Sequence, residues 1–143
     1  MNKIQFNLET AEKYLVENDW EFETKTIDEY HIILTGLNGE NIAFKFQLLF
    51  KEADILYISN LPSIKVDHEK VNNLLHLLNQ INSRIRYGKF YYTESSNSIY
   101  YEHMTSTEGH DISTETIEDL ILSCSITIDN NIKTISSVLV DKQ

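Results

Sequence analysis

The chain has 143 residues, 41% of them hydrophobic, which is one domain's worth and enough to bury about two-thirds of the surface its unfolded chain exposes. Its 12 basic and 22 acidic residues leave a net charge of -10, a field that repels nucleic acid and anionic lipid and leaves proteins or cations as the expected partners. The lone Cys124 excludes an internal disulfide and fits a reducing compartment; with no apolar run of signal-peptide or membrane-spanning length, the expected location is cytoplasmic.

One proline and four glycines leave no linker, low-complexity tract or repeat, so the sequence reads as one continuous domain over residues 1–143. Asn7 is placed to cap a first helix in which Leu8, Ala11 and Leu15 recur at helical spacing, ending near Asn18-Asp19. From Trp20 the period becomes two, with Trp20, Phe22, Thr24 and Thr26 on one side and Glu21, Glu23 and Lys25 on the other. A second strand from Tyr30 to Thr35 meets a third from Ile42 to Phe50 across Asn38-Gly39, a pair suited to a type I′ turn. In the third strand Ile42, Phe44, Phe46, Leu48 and Phe50 form a core face. A fourth, Ile55 to Asn60, is predicted to stop at Pro62, which lacks the amide hydrogen a sheet interior needs.

Helical period then returns. Asp67 is placed to cap a second helix with the stripe Val71, Leu74, Leu75, Leu78, Ile81 and Ile85, and Gly88 to terminate it. Phe90 to Thr93 and Ile99 to Met104 read as a second hairpin, joined by Glu94-Ser95-Ser96-Asn97. Ser113 is placed to cap a last helix whose apolar face is Ile117, Leu120, Ile121, Cys124, Ile128, Ile135, Val138 and Leu139. Unbroken from Ser113 to Val140 it would measure ~42 Å, against a radius of gyration of about 14 to 15 Å for a compact chain of this size. The expectation is therefore a break or bend at Asp129-Asn130-Asn131, with the distal Ile135, Val138 and Leu139 helping to build a homodimer. The order is α-ββββ-α-ββ-α: an α+β fold, an antiparallel β-sheet with helices packed on it.

Leu61-Pro62, the helix end Leu78-Asn79-Gln80-Ile81-Asn82, then Gly88-Lys89-Phe90-Tyr91-Tyr92 and Ile99-Tyr100-Tyr101-Glu102 together resemble the YbjN-like family. That family is described as bacterial sensory transduction regulators and is similar in fold to type III secretion chaperones. The resemblance spans nearly the whole chain and implies a bacterial cytoplasmic origin, frequent homodimers and no established catalytic residues. One departure is Ser95-Ser96-Asn97-Ser98, where a glycine-type tight turn is expected.

No Gly-x-Gly-x-x-Gly, P-loop, Gly-x-Ser-x-Gly or His-Glu-x-x-His pattern is present, which argues against an enzyme, and no cofactor is implied. Glu102, His103, Glu108, His110 and Asp111 hold imidazole and carboxylate chemistry for a metal- or small-ligand-binding sensor, yet lack ligand spacing and read foremost as a polar loop; His31 beside Asp28 and Glu29 is weaker. Cys124 with His76 as base sits in apolar helices, where a thiol is ordinarily inert packing. The tyrosines are more informative. In Tyr91, Tyr92, Tyr100 and Tyr101, neighbours alternate across the sheet, so some must lie on its second face. Cross-strand pairing explains them without function; a protein-binding face explains them with it. The strand from Tyr30 to Thr35 is likewise apolar on both parities. The reading is a non-enzymatic module that binds a protein partner through its sheet face or edge, with an immunity-type partner role as a further alternative.

Overall fold

A computed structural model of the protein describes residues 2–61 and 64–139; Pro62 and Val140 lie outside them. The elements follow as α1 (Lys3–Glu17), β1 (Phe22–Ile27), β2 (Tyr30–Asn38), β3 (Ala43–Phe50), β4 (Asp54–Asn60), a short 3-10 turn (His68–Lys70), α2 (Val71–Asn82), β5 (Lys89–Thr93), β6 (Ser98–Ser106) and α3 (Thr114–Leu139). The strands form a six-stranded sheet in the order β1-β2-β3-β4-β6-β5, antiparallel throughout, so the α+β order read from the sequence holds.

All three helices lie on one face, with α3 between α1 and α2. Alternation in β3 is the reason for a one-sided core: Phe44, Phe46, Leu48 and Phe50 are buried while Ala43, Lys45 and Gln47 are exposed. Against them pack Leu8, Ala11, Tyr14 and Leu15 of α1, Leu74, Leu78 and Ile81 of α2, and Ile117, Leu120, Ile121, Cys124, Ile128, Ile132 and Ile135 of α3. Each such aliphatic or phenyl side chain contributes about 1.5–3 kcal/mol of transfer free energy. An aromatic line ties the strands together: Trp20 stands edge-on to Phe46 at 6.0 Å, Phe46 stacks on Tyr57 at 4.6 Å, and Tyr57 meets Tyr101 at 5.9 Å. The buried Tyr57 hydroxyl has a partner in Ser125 Oγ at 3.0 Å.

Several boundaries differ from the sequence reading, each for a local reason. Asn2, not Asn7, caps α1, accepting the Gln5 amide at 2.8 Å; Asn7 is a fully buried residue inside the helix, its side-chain amide without a hydrogen-bond partner. Trp20 precedes β1 rather than starting it, because Asp19 at φ 59° reverses the chain and the Trp20 amide bonds Leu15 O at 2.9 Å. The first hairpin turns at Glu40-Asn41, not Asn38-Gly39: the Gly39 amide bonds Ile42 O at 2.8 Å. Gly39 is required for space, since a β-carbon there would run into the Asp129 carboxylate. Asp67 makes no side-chain cap bond and precedes the 3-10 turn; α2 ends at Asn82, six residues before Gly88.

The expected interruption of α3 at Asp129-Asn130-Asn131 is absent: the helix runs unbroken for 26 residues. Its polar residues there are used without breaking the ladder. The Asp129 carboxylate accepts the amides of Glu40, Asn41 and Ile42 at 3.1, 2.9 and 3.3 Å, and Asn131 Nδ2 donates back to Thr127 O at 2.8 Å. The distal turn stays on the sheet because Ile132 and Ile135 are buried in the same core. Ser113 caps α3 as expected, its hydroxyl accepting the Thr116 amide at 3.3 Å.

Candidate functional site: the open face of the sheet

The face of the sheet away from the helices is a second surface, with no element packed on it among the described residues. Register sets its side chains in rows across the strands. One row reads Lys25, Ile32, Leu49, Leu56 and Met104 from β1 to β6; the next reads Glu23, Leu34, Gln47, Ile58, Glu102 and Lys89 from β1 to β5. In the first, four apolar side chains on adjacent strands span ~14 Å at the usual interstrand spacing. Ile32, Leu34, Leu49, Leu56 and Ile58 are half-buried and Met104 is 55% exposed. Beside them an open trough of about 880 Å³ is lined by Glu21, Glu23, Leu34, Gly36, Lys45, Gln47, Ile58, Asn60 and Tyr100, among others. Its floor is apolar and its rim charged with both signs. Gly36 deepens it, as no side chain rises at that position; a β-carbon there would stand 2.8 Å from Phe44 O.

The tyrosines divide between the two faces. Tyr91 and Tyr100 lie on the open face, stacked at 5.4 Å with their rings 10° from parallel. The Tyr91 hydroxyl donates to Glu102 Oε2 at 3.3 Å, and Lys89 Nζ lies 3.5 Å from Glu102 Oε1. Burial, followed by the Glu102 carboxylate, pushes the Tyr91 phenol up to about 12. Tyr101 and Tyr92 point to the helices. Tyr101 is fully buried and donates to Tyr87 O at 2.6 Å; Tyr92 packs against the core and donates to Asn97 Oδ1 at 2.6 Å. Asn97 takes the left-handed conformation at φ 50°, which is how the serine-rich turn closes without glycine. Gly88, at φ 70°, lets the chain pass against Tyr101, whose ring and hydroxyl a β-carbon would meet at 2.6 and 2.5 Å.

The other candidates are dispersed. Ile135 is fully buried, Leu139 packs against the core and Val138 is half-buried, so the distal turn of α3 is largely bound to its own sheet. Glu102 and His103 are neighbours on β6 and therefore face opposite sides; His103 meets the Tyr87 ring edge-on at 5.7 Å, and burial lowers its pKa. Glu108, His110 and Asp111 are exposed, and among the described residues no three His, Cys, Asp or Glu side chains are placed to hold a metal ion. Cys124 is buried and its thiol is pushed up to about 12, chiefly by desolvation, while His76 is exposed on α2. That is the environment of an inert thiol.

The two edges of the sheet differ. At β5 the outward backbone groups of Phe90 are occupied: Asn82 Nδ2 donates to Phe90 O and Asn82 Oδ1 accepts the Phe90 amide, both at 2.8 Å. The asparagine at the end of α2 thus stands where a neighbouring strand would be. At β1 no further strand pairs with the edge among the described residues; α1 touches the strand only from the helix side, where Thr24 Oγ1 donates to Glu12 Oε2 at 3.0 Å.

A family model described as "YbjN: Putative bacterial sensory transduction regulator" matches residues 7–135. The chain belongs to the YbjN family. Among solved structures this YbjN member is similar to "Crystal structure of YbjN, a putative transcription regulator from E. coli", with a TM-score of 0.64 at 14% identity, covering 91% of this chain and 89% of that one. At that identity the likeness shows the fold alone. No curated protein matches the chain. Among the described residues no helix is long and apolar enough to cross a membrane.

The sequence reading missed most of the open face. Its sheet candidates were the tyrosines and the strand from Tyr30 to Thr35, which carries Ile32 and Leu34; Leu49, Leu56, Ile58 and Met104 were not singled out. The available signal was β4 itself: Ile55-Leu56-Tyr57-Ile58 is apolar on both parities, the pattern of a strand whose two faces both leave water.

Proposed function

We propose that this YbjN member is a non-enzymatic regulator that acts by holding an apolar segment of another polypeptide on its open sheet face, along the apolar row and the trough beside it. The supporting observation is the apolar row Ile32, Leu49, Leu56 and Met104, continuous across four strands beside a trough with both signs of charge on its rim. An uncovered apolar patch of this kind is characteristic of a binding surface. A polypeptide fits better than a small ligand, because the trough is open to solvent rather than enclosed and its polar groups are dispersed rather than convergent. A net charge of -10 opposes direct contact with nucleic acid, so regulation in this reading passes through a protein, in the cytoplasm.

The test compares affinity captures from the native cell by the wild type, by an open-face variant (Leu34→Asp with Met104→Asp) and by a helix-side variant (Leu122→Asp with Ile126→Asp). The reading requires a protein retained by the wild type and the helix-side variant and lost from the open-face variant. Retention by all three, with folding intact by circular dichroism, would overturn it.

A further inference from the structure

The hydrogen-bond parity of the sheet fixes which groups β1 presents to solvent. The Gly39–Ile42 bond closes the β2–β3 hairpin, so the bonded pairs along it are Leu37 with Phe44, Thr35 with Phe46 and Ile33 with Leu48. Ile32 and Leu34 therefore bond toward β1, to Lys25 and Glu23, and the amides and carbonyls of Phe22, Thr24 and Thr26 point outward. This edge offers three donors and three acceptors, paired with no strand among the described residues; the bond from Thr24 Oγ1 to Glu12 of α1 engages the side chain and leaves the Thr24 backbone groups outward. We propose that β1 pairs antiparallel with β1 of a second copy about a two-fold axis at Thr24, joining the two sheets edge to edge.

Charge selects both the partner and the register. With outward groups only on Phe22, Thr24 and Thr26, a symmetric antiparallel pair has few alignments. Centring on Glu23 sets Glu23 against itself, centring on Lys25 sets Lys25 against itself, and each places like charges directly opposite. Centring on Thr24 sets Glu23 against Lys25 of the second copy twice, in the non-bonded positions where side chains approach closest, and pairs Phe22 with Thr26. It also uses all the outward groups. The intrachain Glu23–Lys25 contact at 3.8 Å joins two largely exposed side chains, both free to exchange partners. The opposite edge lacks this option because Asn82 occupies the outward groups of Phe90. A two-fold axis normal to the sheet keeps both open faces on one side, so the inference stands whether or not the trough holds a partner.

The experiment is sedimentation velocity over a concentration series reaching hundreds of micromolar, in about 0.15 M salt where the screening length is ~8 Å and repulsion between the acidic copies is damped. The wild type should move from monomer to dimer. Glu23→Lys and Lys25→Glu should each weaken the dimer at least tenfold, and the double swap should restore it. Thr24→Pro, which removes an outward amide and no intrachain ladder bond, should give a folded monomer by circular dichroism. A wild type monomeric at every concentration, a dimer that survives Thr24→Pro with its fold intact, or a double swap that fails to restore association would each overturn the proposal; the charge swaps decide the matter if Thr24→Pro does not fold.

Discussion

Asp129→Ala should destabilise the protein by about 2 kcal/mol, although the residue is only half-buried. Its carboxylate accepts three consecutive backbone amides at 2.9–3.3 Å, and Asn41 Nδ2 donates to the same side chain at 3.3 Å and to the Asp129 carbonyl at 3.0 Å. Hydrogen bonds to a charged acceptor contribute about 1.5–3 kcal/mol when buried, but these are largely exposed, so about 0.5–1 kcal/mol each is the better figure. Three give about 1.5–3 kcal/mol, from which alanine's helix preference over aspartate recovers about 0.5 kcal/mol. For a chain of this size the loss lowers the melting temperature by about 6–8 °C. Urea denaturation followed by Trp20 fluorescence measures it, and amide exchange at Glu40, Asn41 and Ile42 locates it. A loss below about 0.5 kcal/mol, with exchange at those amides unchanged, would refute the claim that α3 pins the β2–β3 turn.

Three further outcomes are expected. Asn82→Ala removes both side-chain bonds to Phe90 and should cost about 2–3 kcal/mol while raising exchange at the Phe90 amide; an unchanged Phe90 exchange rate would show that another group holds this edge. Asn7→Leu replaces a fully buried, unpartnered amide by an apolar side chain with the same branching and number of heavy atoms and should raise stability by about 1–2 kcal/mol in chemical denaturation, whereas a clear loss would mean the amide is satisfied in solution or the larger methyl groups do not fit. Cys124 has its pKa raised by burial from 9.0 to about 12, so its contribution is fully present below pH 9 and is lost as pH rises through about 12. Stability should therefore fall by about 1.4 kcal/mol per pH unit in that interval from this thiol alone, with the raised phenols of Tyr57 and Tyr101 steepening the decline. A Cys124→Ala variant showing an undiminished slope would assign the effect elsewhere.

The elements were legible wherever a period was strong. The alternation of Phe44, Phe46, Leu48 and Phe50 fixes β3 and its inner face, and the stripe through Leu74, Leu78 and Ile81 fixes α2. What failed were competitions that only tertiary contact decides. Asparagines and an aspartate in α3 favour a break locally, but three amides from a distant turn engage Asp129 and two buried isoleucines hold the turns beyond it. Asn38-Gly39 is a good turn pair, yet the tip moves two residues on because Gly39 is needed where the Asp129 carboxylate sits. Of the candidate site, alternation alone showed that some tyrosines must face outward. Which ones depends on the face the helices choose, and Tyr91 and Tyr100 come to the open side because Phe90, Ile99 and Tyr101 are drawn into the core.

The central claim is that the open sheet face, rather than the helix layer, is where this YbjN member meets its partner. Site-specific photo-crosslinking in the native cell addresses it directly, with the reactive side chain placed in turn at Leu34, Leu56 and Met104 on the open face and at Leu122 and Ile126 on the exposed side of α3. The account requires one discrete adduct of common mass from all three sheet positions and none from the two helix positions. Adducts from Leu122 and Ile126 with none from the sheet would contradict it.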